Sequence, residues 1–233
     1  MLSPSNILAA LRLGHKTPAG ELLTRLQVSR PTMMRALRAL GTAVVSRGRA
    51  RRTAYAARRA LRGDTSPIPV FRIDQAGAGI EVARLDLTYP QGCALQYLEA
   101  LEWPLPDDMA DGWFEGIPYF LDDLRPQGFL GRQLARQNAA TLRISEDPNN
   151  WSEDDALVVM TALGNDLPGC YVLGEPAYRL YLAQSQQDIH FLTDAETKAA
   201  YVSRAHEALS TGCLLYTSPS PRDGLLSRMP SSA

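Results

Sequence analysis

Lysine is nearly missing from this chain. Lys16 and Lys198 are the two it has, so almost all of its 24 basic residues are arginine. Codon use in a GC-rich genome would give that ratio with no bearing on fold. Cysteine and histidine are as sparse, three of each, and Cys93, Cys170 and Cys213 stand far apart in no zinc or redox spacing. His15, His190 and His206 do not gather with them, so the pattern offers no metal site, and Cys93 and Cys170 read as small apolar packing residues. No apolar run approaches the roughly 20 residues of a membrane span. The start, Met1 to Asn6, has neither the basic region nor the apolar stretch of a secretory signal, so the cytoplasm is the expected compartment.

The scarcity that says most is of acid at the start. Residues 1–63 hold Glu21 and no other carboxylate against 13 bases, while the remaining 170 residues hold 24 acids and 11 bases. The formal net charge of −1 therefore hides a basic head on an acidic body. Codon bias does not explain that segregation. A small, folded, cationic unit is the footprint of nucleic-acid binding, because arginines displace counterions condensed on phosphates. At 233 residues and 45% hydrophobic content, the chain can bury one good core with a satellite domain.

The head, residues 1–63, has the periodicity of a winged helix-turn-helix. Ile7, Leu8 and Leu11 mark one short amphipathic helix. A second follows Thr17 as cap and Pro18 in the first turn, with Leu22, Leu23 and Leu26 inward. Val28 to Thr32 make a tight connection into a third helix that Ser29 can cap. There Met33, Ala36, Leu37 and Leu40 share one side and Arg35 and Arg38 project from the other. Residues Ala43–Ser46 and Arg51–Tyr55 read as a β-hairpin around the turn Arg47–Ala50. Ser29, Arg30, Thr32, Arg35 and Arg38 are the candidate groove and phosphate contacts, since Arg can donate two hydrogen bonds to guanine. Arg47, Arg49, Arg51 and Arg52 are the candidate wing contacts to phosphate. The segment Gln27–Leu37 resembles the "turn, Ser, Pro-Thr, recognition helix" signature of bacterial winged-helix domains, which makes DNA the expected partner.

Residues 64–69, Asp-Thr-Ser-Pro-Ile-Pro, read as a linker. Beyond them Val70–Asp74 and Ile80–Leu87 alternate as an antiparallel hairpin about the turn Gln75–Gly79, and Ala94–Leu98 can add a strand. Pro104–Gly112 reads as a loop. The run Gly116-Ile-Pro-Tyr-Phe-Leu-Asp-Asp-Leu-Arg-Pro-Gln-Gly-Phe-Leu-Gly-Arg joins two helices through a Pro/Gly corner, with Phe120, Leu121, Leu124, Phe129, Leu130 and Leu134 as core. Trp151-Ser-Glu-Asp-Asp starts a helix capped by Ser152, which runs into Leu163-Gly-Asn-Asp-Leu-Pro-Gly and a strand.

Those last two motifs, in that order behind a winged helix, resemble HipA-like serine/threonine-protein kinase toxins of type II toxin–antitoxin pairs, and most closely the YjjJ subgroup. The resemblance implies an α+β chain: a winged helix-turn-helix followed by a mixed β-hairpin and helix domain, residues 70–212, like the N-terminal lobe of those kinases. It also implies a parent protein that phosphorylates Ser or Thr of a protein target with ATP and magnesium, and an antitoxin partner. Of the Gly-rich loop, lysine, catalytic Asp and magnesium ligands such a kinase uses, none can be placed in this sequence. After Gly212 the composition changes, and Cys213–Asp223 and Ser227–Ala233 resemble translated sequencing adaptor. Residues 213–233 are therefore expected to be a non-native tail, and the fragment is expected to hold no cofactor and no kinase activity.

Two other readings compete. One is a stand-alone winged-helix transcription regulator whose C-terminal domain senses or dimerises. The other is a hydrolase built on Asp122-Asp123 or Asp154-Asp155. Neighbours on a helix point about 100° apart, so such pairs do not converge on a bond and read as solvated surface.

Overall fold

The computed structural model describes residues 3–100, 104–167, 169–185 and 193–211. His190, Gly212, Cys213 and the expected foreign tail 213–233 lie outside them, as does Pro168 of the run Leu163-Gly-Asn-Asp-Leu-Pro-Gly.

The first unit begins with α1 (Pro4–Leu11), opened by Ser3 and by Pro4 in its first turn. Thr17–Pro18 then form a two-residue strand, β1, paired with Tyr55 and Ala54. Thr17 is buried in that pairing, so it does not cap the next helix as its sequence position suggested. Helix α2 (Ala19–Leu26) ends where Gln27 turns left-handed, and α3 (Arg30–Leu40) follows directly. Ser29 occupies the position before α3, but its hydroxyl meets that of Thr32 at 2.9 Å and caps no backbone N–H. A hairpin of β2 (Val44–Arg47) and β3 (Ala54–Ala57) closes the unit, with strand order β1-β3-β2. Arg51 and Arg52 sit in a 3-10 turn ahead of β3 and not in the strand expected for them. Gly48 is required at the tip: at φ +83° a Cβ there would lie 2.3 Å from the Arg52 carbonyl oxygen. Ile7, Leu11, Leu22, Met33 and Leu37 fill the core of this unit against Tyr55 and Ala57.

The second unit is built on a five-stranded antiparallel sheet, ordered β7-β6-β5-β4-β8. Its strands are β4 (Ile68–Ile73), β5 (Gly79–Thr88), β6 (Gly92–Tyr97), β7 (Trp113–Phe114) and β8 (Tyr171–Leu173). Strand β4 starts inside the stretch read as a linker. The β4–β5 turn is organised by Asp74, whose carboxylate accepts from the N–H groups of Ala76 and Ala78. The expected loop 104–112 contains a one-turn helix, α4 (Asp107–Ala110). After it come α5 (Tyr119–Asp122), α6 (Gly128–Leu142), α7 (Glu153–Leu163), α8 (Glu175–Ser185) and α9 (Asp194–Thr211). Helix α7 carries a full capping box, Ser152 and Asp155 each bonding the other's backbone N–H. Leu85, Leu95, Leu121, Leu157, Met160 and Leu173 form the main core. Cys93 is buried, but Cys170 is exposed and so is not the core packing residue its sequence suggested.

The two units are joined by more than one strand-to-strand link. The Arg59 N–H donates to the Leu87 carbonyl at 2.8 Å and the Tyr89 N–H to the Ala57 carbonyl at 3.0 Å, so β3 runs on to the end of β5. Val45, Ala54 and Ala56 of the hairpin pack with Ala94 and Trp113 of the larger sheet as one small core.

Candidate functional site

The nine residues singled out for nucleic acid divide into two groups. Ser29, Arg30, Arg35, Arg38, Arg49 and Arg51 are exposed and Thr32 is half-buried. Among the described residues none of these arginines has an acidic partner. On α3, Met33 and Leu37 are buried, which turns Arg35 and Arg38 to the opposite side of the helix, while Arg30 is exposed as its first residue. Met34 lies at the flank, where its sulfur accepts from the Tyr55 hydroxyl at 3.6 Å. Arg49 and Arg51 stand at the hairpin tip.

Arg47 and Arg52 do not join that surface. Arg47 is folded inward: its Nη2 lies 2.5 Å from Asp86 Oδ2 and its Nε donates to the Leu95 carbonyl at 3.1 Å. Arg58 reaches the other oxygen of the same carboxylate at 2.9 Å. Asp86 is 1% exposed, and burial pushes its carboxyl up against the pull of the two guanidinium groups. The same burial pushes Arg47 down. Arg52 donates to Asp111 Oδ2 at 2.7 Å and to the Asp107 carbonyl oxygen, along the side of α4.

Further along, Arg59 meets both oxygens of Asp154 at 2.5 and 2.6 Å. Arg62 reaches Asp155 and also the Leu142 and Arg143 carbonyls that end α6, a favourable place for a cation. The paired acids Asp154 and Asp155 are therefore counter-ions of the head, not the solvated surface their spacing suggested. Sequence reasoning found the arginines and missed these acids. The signal was in the near-equal and opposite charge of the two parts.

Between the units lies a cleft of about 490 Å³, lined by His15 and Lys16 from one side and by Asp108, Glu115, Arg125 and Glu153 from the other. Burial lowers the His15 pKa, which Glu115 at 3.8 Å opposes. Glu153 is pushed up, chiefly by burial. Lys16 is held by Asp108 at 2.5 Å and Arg125 by Asp122 at 2.8 Å, so the cleft is lined by paired charges. Among the described residues no three His, Cys, Asp or Glu side chains gather as metal ligands would. No described helix is long and apolar enough to cross a membrane.

Comparison with known proteins bears on the larger unit. Residues 64–182, the five-stranded sheet with its helices through most of α8, match the model of the YjjJ-like toxin middle domain. A curated relative, Toxin YjjJ of Escherichia coli (strain K12), is 38% identical over 164 residues. That alignment covers 70% of this chain and 35% of the relative, so the chain spans about a third of the relative's length. No solved structure matches. A match over half of the chain, on a fold unit whose core strands and capped helix are those described above, places this chain in the YjjJ-like toxin family.

Proposed function

We propose that this chain is the DNA-binding part, with an adjoining lobe, of a toxin that phosphorylates Ser or Thr on a protein target. The smaller unit acts as a winged helix-turn-helix. Its order of helix, strand, helix, helix and hairpin suits that reading, with α3 as the recognition helix and the β2–β3 turn as the wing. The observation that carries it is the unpaired face of α3. Arg35 and Arg38 project together from the side of α3 opposite its buried residues and Arg30 is exposed at its first turn, while Arg25, Arg47, Arg52, Arg58, Arg59 and Arg62 of this unit are tied to an acid or a carbonyl. Charge that only served docking would be spent on docking.

Contacts then sort by position. Arg35 and Arg38 sit where side chains reach base edges, and Ser29, Arg30 and Thr32 sit at the helix start, where hydroxyls and amides meet phosphate. Arg49 and Arg51 contact phosphate beside the groove. ATP and magnesium belong to the kinase reading of the whole protein, and the described residues are given no role in holding them. An antitoxin is the natural further partner of a toxin. Membership of a toxin family tells against the stand-alone regulator.

Salt-titrated binding of a labelled duplex to the full chain tests the reading. Arg35→Ala should weaken binding and relax sequence preference, and Arg51→Ala should weaken it for every sequence and flatten the salt slope by about one unit. Unchanged affinity in both variants would remove DNA from the proposal.

A further inference from the structure

The cations of the smaller unit are held in two distinct ways. Asp86, between Arg47 and Arg58, is out of water and locked. The pairs made at α4 are more open to water: Asp107 and Asp108 are 97% and 71% exposed and Arg52 is half exposed, with Asp111 and Lys16 the more covered partners at 18% and 21%. Exposed ion pairs are weak and salt-sensitive, so the second set can exchange partners while the first cannot.

The segment Asp107–Asp111 presents three carboxylates within five residues along the flank of the hairpin. Asp111 and Asp107 take Arg52, and Asp108 takes Lys16. The bond to Lys16 holds the Asp108 carboxyl below the usual carboxylate range. One helical turn would not persist by itself, but this one is fastened to the sheet. The Tyr97 hydroxyl donates to the Met109 carbonyl at 2.8 Å, and the Leu95 N–H to the Gly112 carbonyl at 2.7 Å. A row of anions is thus fixed along the flank of the hairpin, against Arg52 and Lys16.

We propose that α4 is an internal phosphate mimic, an autoinhibitory clamp that DNA must displace from Arg52 and Lys16 before those two cations can engage phosphate. This inference rests on the DNA reading given above. It makes the larger unit a regulator of the smaller: whatever draws α4 away from the hairpin raises DNA affinity without touching the recognition helix. It also separates the roles of two neighbouring arginines. Arg51 contacts phosphate from the outset, whereas Arg52 does so once the clamp is open.

The test uses the full chain carrying Asp107→Asn, Asp108→Asn and Asp111→Asn together, titrated with a labelled random-sequence duplex. A control with Asp123→Asn, Glu146→Gln and Asp194→Asn removes the same charge from exposed acids outside α4. The clamp variant should bind tighter than the control at low salt. Its salt slope should steepen by roughly one to two units, an extra loss of about threefold per new contact between about 50 and 200 mM salt. Arg52→Gln should cost the unaltered chain little and should abolish most of the gain in the clamp variant. Thermal unfolding of each variant establishes that it is folded. Equal gains in clamp variant and control, or no change in slope, would overturn the clamp and leave DNA binding standing. Absence of duplex binding by both the unaltered chain and the clamp variant would overturn the DNA reading and the clamp with it.

Discussion

Asp86→Asn isolates the most deeply buried of the ion-pair contacts described between the two units. The substitution keeps the side chain's shape and removes its charge, which leaves Arg47 and Arg58 facing each other with side chains only 19% and 15% exposed. Deleting one partner of a buried ion pair costs about 3–5 kcal/mol, because the other charge stays desolvated and uncompensated. The small exposure that the guanidinium groups keep argues for the lower end, about 3 kcal/mol. In a chain of this size each kcal/mol shifts Tm by about 2–4 °C, so a fall of roughly 6–12 °C is expected in thermal unfolding followed by circular dichroism. The same desolvation that pushes Asp86 up and Arg47 down makes the intact triad a poor source of net stability. Replacing all three together, by Asp86→Leu, Arg47→Met and Arg58→Met, should therefore lose much less than Asp86→Asn alone. A single variant within about 2 °C of the parent, or a triple variant worse than the single, would refute the idea that these charges are buried and mutually dependent.

Three further outcomes follow from the same geometry. Burial pushes the Cys93 thiol up to about 12, so in a Cys213→Ser background native protein should expose Cys170 to a thiol reagent within minutes and Cys93 only on unfolding. Gly112→Ala should destabilise by more than about 1 kcal/mol in denaturant titration, since φ is +88° and the new Cβ would sit 2.2 Å from the Leu95 carbonyl oxygen that also receives Arg47. Burial pushes the Asp155 carboxyl up, but bonds from Ser152 and Arg62 outweigh it and leave the group below its ordinary value. Its stabilising share is therefore complete above pH of about 4 and lost as pH falls through the folded value. Asp155→Asn should lower Tm at pH 7 and converge with the parent in acid, and a constant gap across a pH series would contradict that assignment.

Much of the architecture was legible because periodicity and burial agree within each unit. Met33 and Leu37 turn inward at helical spacing and Ser152 caps α7, whereas along Ile80–Leu87 the strand is as expected but its single covered face is not, since Ile80 is exposed and Val82, Ala83, Leu85, Asp86 and Leu87 are buried on both faces. The candidate site was half legible. Helical spacing alone separates Arg35 and Arg38 from the buried side of α3, because both sides of that decision lie within eleven residues. The hairpin is different, because its second face is covered by residues some 40 to 60 positions away. Strand β3 shows what happens. Tyr55 and Ala57 face the helices, Ala54 and Ala56 face Ala94 and Trp113, and all four are buried. Strand β2 lies beside it, and on a strand residues two apart share a face. Arg47 therefore enters the junction with Val45, and a cation carried into an apolar junction needs an acid there, which Asp86 supplies. The clue was a strand of small residues, Ala54-Tyr55-Ala56-Ala57, with no polar side chain facing out. Such a strand is covered on both sides, and a basic hairpin covered on both sides does not offer all of its arginines to DNA.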